Sequence, residues 1–226
     1  MYAWMRDQLN GAIAFSRLCV IFSALVVLLI CSTMIYFEIS PGAKKGLMNS
    51  LFLSFKKSVT PKERENTEKE ISSLILKNSR KLTGEQALRL AKIIVGECRE
   101  HGLDPLLVLA VIKVESSFRP GVVSKRGAIG LMQVLPSTGN YVAGKMGFSF
   151  GGAKSLYDPH VNVRVGIRYL AMLQGRYNSV ERALVAYNFG PNRAIVKRAG
   201  IESSPPLYVR RIMGLKSRFE NEVRGS

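Results

Sequence analysis

Apolar residues recur every three or four positions through most of the chain after residue 82, in separate stretches. This spacing predicts amphipathic helices. The first begins at the capping-box pattern Thr83-Gly84-Glu85-Gln86 and ends near His101. The others are predicted over residues 106–117, 136–146, 161–177, 180–188, 193–199 and 206–223. No stretch of useful length alternates apolar and polar residues as a half-buried strand does, so the pattern predicts an all-α domain.

One stretch before this domain is apolar throughout. Residues 18–37 form a run of 20 positions without a charged side chain, long enough to cross a bilayer as a helix. No convincing small-residue cleavage site follows it, so the pattern favours a single uncleaved transmembrane helix over a signal peptide. We expect four parts: a short N-terminal segment (1–17), the anchor (18–37), a mixed connector (38–81) and the helical domain (82–226).

Basic residues outnumber acidic ones, with 33 Lys and Arg against 16 Asp and Glu and a net charge of +17. The first 78 residues hold 10 basic and 6 acidic side chains (+4), whereas the rest hold 23 and 10 (+13). Because the excess lies mainly in the helical domain, we expect an anionic partner: nucleic acid, anionic lipid or an acidic polymer.

Residue types that bind metals or form disulfides do not cluster. Of the three cysteines, Cys19 and Cys31 lie in the apolar run, which leaves Cys98 alone in the domain. His101 and His160 have no second ligand at metal-site spacing. The sequence predicts neither a metal site nor a cofactor.

A single carboxylate stands at the end of the second predicted helix. On a helix, Glu115 shares a face with Val111, Ile112 and Phe118. An apolar face raises the pKa of a carboxyl group, which suits a general acid. The alternative is a solvated glutamate at a frayed helix end. The segment that follows favours the acid, because two glycines bracket a turn with apolar walls that ends in the amide of Gln133.

Three short motifs occur in order: Glu115-Ser116, then Gly130-Leu131-Met132-Gln133, then Ala186-Tyr187-Asn188. Together they resemble the catalytic domain of the soluble lytic transglycosylases (SLT family), relatives of goose-type lysozyme. The resemblance spans roughly residues 82–219. It implies a lysozyme-like fold and peptidoglycan glycan strands as substrate, with Glu115 acting at the bond between N-acetylmuramic acid and N-acetylglucosamine.

The resemblance also implies roles for individual positions. Ser124 would place a hydroxyl near the substrate, Gln133 would turn its amide toward the saccharide, and Met132 would form a wall. Tyr187 would hydrogen-bond the catalytic carboxyl, and Asn188 would hold the turn or the glycan. Tyr208 would lie on a helix that closes the cleft.

Few other carboxylates compete for a catalytic role. Glu97, Glu100, Asp104, Asp158 and Glu181 lie outside any motif like that of Glu115. Hydrolysis of a glycosidic bond commonly uses two carboxylates. A one-carboxylate mechanism is therefore the better fit. The resemblance implies its steps: Glu115 would protonate the leaving oxygen, the substrate's N-acetyl group would stabilise the cation, and the C6 hydroxyl would close a 1,6-anhydro ring.

Three alternatives remain at this point. A muramidase that uses water would need a second carboxylate. A non-catalytic basic protein that binds peptidoglycan or acts as a scaffold would be expected to lack Glu115. A membrane-tethered nucleic-acid binder would use a basic stripe on the last helix, which a solvated helix face explains equally well; no nucleic acid is expected.

The resemblance implies an inner-membrane protein with its catalytic domain in the periplasm, where a cell-envelope machine is a conceivable partner. The flanking charges argue for the opposite orientation. Arg6 and Arg17 precede the apolar run, whereas four lysines follow it (Lys44, Lys45, Lys56 and Lys57).

Overall fold

The computed structural model of the chain describes residues 60–192 and 205–225. These residues form helices α1 (Pro61–Asn78), α2 (Gly84–His101), α3 (Pro105–Ser116), α4 (Pro136–Met146), α5 (Pro159–Tyr177), α6 (Val180–Phe189) and α7 (Leu207–Arg224), with a 3₁₀ turn at Ala153–Tyr157. The expected anchor over residues 18–37 and the helix expected over 193–199 lie outside this part. Within it, no helix has both the length and the apolar character needed to cross a membrane.

Helix α1 lies in the stretch expected to be a connector, yet it is a packed element of the fold. Thr60 caps it by accepting a hydrogen bond from the Glu63 amide, and the Glu63 carboxylate accepts one from the Thr60 amide in return. Its apolar side packs on α2 and buries Ile71, Leu74 and Ile75. Most charged residues of this stretch therefore lie on the exposed face of a helix, whereas Glu68 is buried and pairs with Arg64.

Helix α2 follows the predicted pattern at both ends. The predicted capping box is present, because Thr83 and Gln86 exchange side-chain to backbone hydrogen bonds. The helix ends at Gly102 in the left-handed conformation, which glycine adopts without steric cost.

Helix α3 is the central element. Asp104 caps it and Pro105 occupies its first turn. Its residues from 107 to 112 are all buried, and it packs against α1, α2 and α7. A helix covered on all sides is apolar all round, so its sequence shows little of the usual two-faced pattern.

The remaining elements complete an all-α arrangement. Helix α5 packs against α2, α4, α6 and the 3₁₀ turn, and α7 packs against α3 and α6. Two isolated bridges, Val123 with Ile129 and Ile129 with Val134, are the only extended pairings between described residues. The predicted helical class is confirmed, whereas the 3₁₀ turn was not predicted.

Candidate active site

Glu115 lies in the last turn of α3, half-buried, and its carboxyl group meets the first turn of α7. The Tyr208 hydroxyl donates a hydrogen bond of 2.6 Å to Oε1 of Glu115. Burial raises the pKa of the Glu115 carboxyl, and the Tyr208 hydrogen bond partly opposes this. The net shift favours the protonated acid, as the sequence pattern predicted.

The backbone leaves α3 abruptly after the catalytic candidate. Ser117 and Phe118 both have a positive φ, 52° and 58°, which is uncommon for residues with side chains. The Phe118 side chain is 1% exposed, and the Ser116 carbonyl accepts a hydrogen bond from Nε of Arg119. Burial of the phenylalanine thus stabilises a strained turn that ends the helix one residue after Glu115.

The segment after this turn forms a compact loop that includes Ser124. The Ser124 hydroxyl accepts a hydrogen bond from the Ala128 amide, and its backbone amide donates to the Ala128 carbonyl. Gly127, with φ of 78°, makes the turn between them. In this structure the hydroxyl supports the loop, and the expected contact of Ser124 with substrate stays a prediction.

Gln133 differs from the role that the resemblance implied. It has a positive φ of 48°, and its amide nitrogen donates to the carbonyls of Val122 and Gly130 at 3.0 and 2.9 Å. The amide protons are thus engaged by the loop itself. Gln133 thus holds the loop closed, and the expected contact of its amide group with the saccharide stays a prediction.

Asn162 of α5 is a site residue that the sequence reasoning missed. It is completely buried. Its oxygen accepts from the Met132 amide, and its nitrogen donates to the carbonyls of Ile129 and Leu156. A Cβ on Gly130 would lie 2.3 Å from this nitrogen. The glycine therefore lets the loop approach α5. A buried asparagine four positions after the helix cap Asp158 was the available signal.

Met132 is buried in a recess on α5, and its expected role as a wall of the site stays a prediction. A Cβ on Gly166 would lie 2.5 Å from its sulfur, so the missing side chain makes room for the methionine. With its amide bound by Asn162, the Met132 backbone is fixed on one side.

Tyr187 fixes the other side. Its hydroxyl donates to the Met132 carbonyl at 2.8 Å, not to the catalytic carboxyl. The partner expected for Tyr187 is therefore wrong, and Tyr208 takes that position. The charge of Glu115 still raises the pKa of Tyr187, after the larger effect of burial. The two groups therefore lie in one site, and the tyrosine ring stacks obliquely on Tyr169, 5.5 Å between centroids.

Both tyrosines remain neutral phenols near neutral pH. Burial and the neighbouring Glu115 raise the pKa of Tyr208 well above its usual value, as they do for Tyr187. A neutral hydroxyl can donate to a carboxylate throughout the range in which Glu115 titrates.

Asn188 is exposed at the end of α6, and its contact with the glycan stays a prediction.

Four of the five other carboxylates considered for a catalytic role make contacts elsewhere in the described residues. Glu97 pairs with Arg168 at 2.8 Å and Arg164 at 3.3 Å. Asp104 and Asp158 cap helices, and Glu181 accepts from the Ser179 hydroxyl. None of the described acids contributes to the pKa of Glu115.

Among the described residues, one cluster of three side chains is of the types that can bind a metal ion. Ligand atoms of Glu97, Glu100 and His101 lie within 4.8 Å of one another. The two arginines on Glu97 already neutralise its carboxylate, which makes this set a poor cation site.

Comparison with known proteins gives matches to transglycosylases, each over part of the chain. Residues 93–203 match the family model described as "Transglycosylase SLT domain". A transglycosylase of Enterobacteria phage PRD1 is 36% identical over 108 residues, covering 48% of this chain and 37% of the phage protein. The membrane-bound lytic murein transglycosylase C of Actinobacillus succinogenes is 40% identical over 121 residues, covering 49% of this chain and 34% of that protein.

Solved structures show the same fold. The 70 kDa soluble lytic transglycosylase of Escherichia coli superposes with a TM-score of 0.54 at 18% identity, covering 76% of this chain and 32% of that one. The chain therefore spans only about a third of the length of these curated relatives and of this solved chain. The lysozyme-like arrangement of the helical domain is confirmed.

Proposed function

Because residues 93–203 belong to the transglycosylase SLT domain family, we propose that the chain is a peptidoglycan lytic transglycosylase. It cleaves the β-1,4 bond between N-acetylmuramic acid and N-acetylglucosamine and leaves a 1,6-anhydro ring on the muramic acid. The observation that supports this most directly is the half-buried Glu115, which accepts a hydrogen bond from the neutral phenol of Tyr208 and whose pKa is raised by burial, with no contribution from another acidic side chain of the described residues.

In the first step Glu115 acts as the acid. Tyr208 donates to Oε1, so the acidic proton resides on Oε2. That proton passes to the glycosidic oxygen as its bond to the anomeric carbon breaks. The substrate's N-acetyl oxygen stabilises the positive charge that develops at this carbon.

In the second step Glu115 acts as the base. Its carboxylate, now ionised and stabilised by the Tyr208 hydroxyl, accepts the proton of the C6 hydroxyl. The C6 oxygen forms the new bond to the anomeric carbon and closes the anhydro ring. One proton leaves Glu115 and one returns, so the carboxyl group is restored.

We further propose that residues 18–37 anchor the chain in the inner membrane and that the domain acts in the periplasm. The length of the uncharged run supports an anchor, and several relatives are named membrane-bound murein transglycosylases. The location of the proposed substrate supports the orientation, against the count of flanking lysines.

The test is mass spectrometry of the products that the full chain releases from purified peptidoglycan, beside a Glu115→Gln variant. We expect anhydro-muropeptides from the parent and at least a hundredfold less from the variant, about the value of a general acid–base group. Reducing-end products would show a hydrolase instead. No product from a folded parent chain would refute catalysis and favour a peptidoglycan-binding protein.

A further inference from the structure

A cavity of about 430 Å³ is lined mainly by residues of α4 and α5. We name it the α4–α5 cavity. Its volume lies in the range of small-ligand pockets, about 300–1,000 Å³. The residues that matter for its chemistry are Ser137, Thr138, Tyr141, Tyr169, Met172 and Arg176.

Tyr169 connects this cavity to the catalytic group. Its ring lines the cavity and stacks on Tyr187, 5.5 Å between centroids. Tyr187 in turn binds the Met132 carbonyl and senses the charge of Glu115. The stacked rings of Tyr169 and Tyr187 thus connect the cavity lining to the loop that carries Met132.

The walls of the cavity combine apolar faces with hydroxyl groups. Tyr141, Tyr169 and Met172 supply the apolar surface, and Ser137 and Thr138 supply hydroxyls at the start of α4. A sugar ring has one C–H face and a rim of hydroxyl and amide groups. Such a ring can pack its face on an aromatic side chain while its rim exchanges hydrogen bonds with hydroxyls.

Arg176 adds a positive charge to this lining. It lies in the last turn of α5 and is exposed. Its guanidinium stacks over the Tyr177 ring at 5.6 Å, and it forms no ion pair with any carboxylate in the described part of the chain. Its charge acts on Tyr169, opposing the burial that raises the pKa of that phenol. The cation is therefore close to the cavity and available to an anionic ligand.

We propose that the α4–α5 cavity binds a muramic acid unit of the strand beyond the cleaved bond, with Arg176 pairing to a carboxylate on the substituent of that unit. This inference rests on the proposed function and deepens it. Two sources could supply the carboxylate: the stem peptide, or the lactyl group of a unit that has lost its peptide. Arg176 would make the enzyme prefer strands that carry that charge.

The experiment compares kcat/KM for release of anhydro products by the full chain from three soluble glycan strands. One carries stem peptides with free carboxylates. The second is the same material with the stem-peptide carboxylates converted to amides. In the first and second strands the lactyl group is linked to the stem peptide through an amide bond, so it carries no free carboxylate. The third is stripped of peptides by an amidase and keeps only the lactyl carboxylate.

The parent is measured beside Arg176→Gln, Arg176→Lys and Arg80→Gln. Arg80 is an exposed arginine in the turn after α1, so its variant removes the same charge outside the cavity lining. The thermal unfolding temperature of each variant is also measured, because removing a basic residue from the C-terminal end of α5 can lower the stability of the fold.

We expect amidation to lower the parent's kcat/KM about fivefold, the upper end for a solvent-accessible ion pair. The kcat/KM of Arg176→Gln on strands with free carboxylates should fall by about the same factor, and it should not change on amidation. Arg176→Lys should retain most of the parent's preference for free carboxylates. Arg80→Gln should match the parent on every strand. Parent activity on stripped strands that equals the value on amidated strands assigns the stem carboxylate. Parent activity on stripped strands that is about fivefold above its value on both peptide-bearing strands assigns the lactyl group.

The inference is overturned if Arg176→Gln keeps the parent's full preference for free carboxylates. A parent chain that discriminates against none of the three strands overturns it as well. A folded parent that yields no anhydro product overturns the proposed function, and this inference with it, which separates the two failures.

Discussion

Replacing Tyr208 by phenylalanine isolates the hydrogen bond that the catalytic carboxyl receives. The 2.6 Å bond to Oε1 of Glu115 favours the ionised carboxylate and lowers its pKa against the effect of burial. A hydrogen bond to a charged group is worth about 1.5–3 kcal/mol. Tyr208→Phe removes more stabilisation from the ionised carboxylate than from the neutral acid, so the carboxyl group stays protonated to higher pH.

The assay is kcat/KM for release of anhydro product as a function of pH. Its alkaline limb reports the free enzyme's essential acid. We expect this limb to move to higher pH in Tyr208→Phe, while the rate falls roughly tenfold to a hundredfold because acid and base steps lose their orienting donor. The relative loss should therefore shrink as pH rises.

Tyr187→Phe is the matched control. It removes a phenol of the same site whose hydroxyl binds the Met132 carbonyl instead of the carboxyl group. We expect its alkaline limb to coincide with that of the parent, with a loss of stability of about 1 kcal/mol. An unchanged or lowered limb in Tyr208→Phe, or a shift in Tyr187→Phe alone, would refute the assignment of the carboxyl's donor to Tyr208.

Two further predictions concern stability. The pKa of Glu115 is higher in the folded chain than in the unfolded one, so the folded chain binds more protons in that window and stability falls as pH rises through it. Glu115→Gln should therefore unfold at higher temperature than the parent at pH 8, and this advantage should be lost below about pH 4, the range of an ordinary glutamate; an equal difference at both pH values would contradict it. Gly130→Ala combines a φ of 80° with a Cβ 2.3 Å from the Asn162 amide. It should cost roughly 2–5 kcal/mol in urea unfolding, whereas Gly144→Ala in open space on α4 should gain up to about 1 kcal/mol. Equal effects of the two substitutions would show that the loop tolerates a side chain.

Local chemistry explains why the helices could be predicted. The capping box at Thr83, the proline at position 136 and the left-handed glycine at 147 act within one turn of the chain, and each fixes a boundary that the structure reproduces. The predicted end of the second helix was also close, because Ser117 adopts the left-handed cap itself. The carboxylate of Glu115 followed from the same local pattern.

Partners within the site could not be predicted in this way. The two tyrosines are chemically equivalent, and which one reaches Glu115 depends on how α7 packs against α3, across 93 positions of sequence. The amide nitrogen of Gln133 binds two loop carbonyls, and its backbone has a positive φ. A glutamine in the sequence does not predict that conformation. Distant packing and local strain thus decided the roles that the motifs left open.

The site residues that were not predicted from the sequence lie in one row along a single face of α5. Asn162, Gly166 and Tyr169 follow at intervals of four and three, which places them on one helix face. Each meets a different part of the site: the Met132 amide, the Met132 side chain and the Tyr187 ring. Continued by one and two turns, the row reaches Leu173 and Arg176 in the α4–α5 cavity.

This row gives the site a rigid support. Helix α5 packs against α2 at its back, where Arg168 makes two hydrogen bonds to the buried Glu97 carboxylate. A displacement of α5 would move the Met132 loop, the Tyr187 ring and the cavity together. Substitutions that weaken the Arg168–Glu97 pair should therefore alter substrate binding and catalysis jointly, although neither residue contacts Glu115.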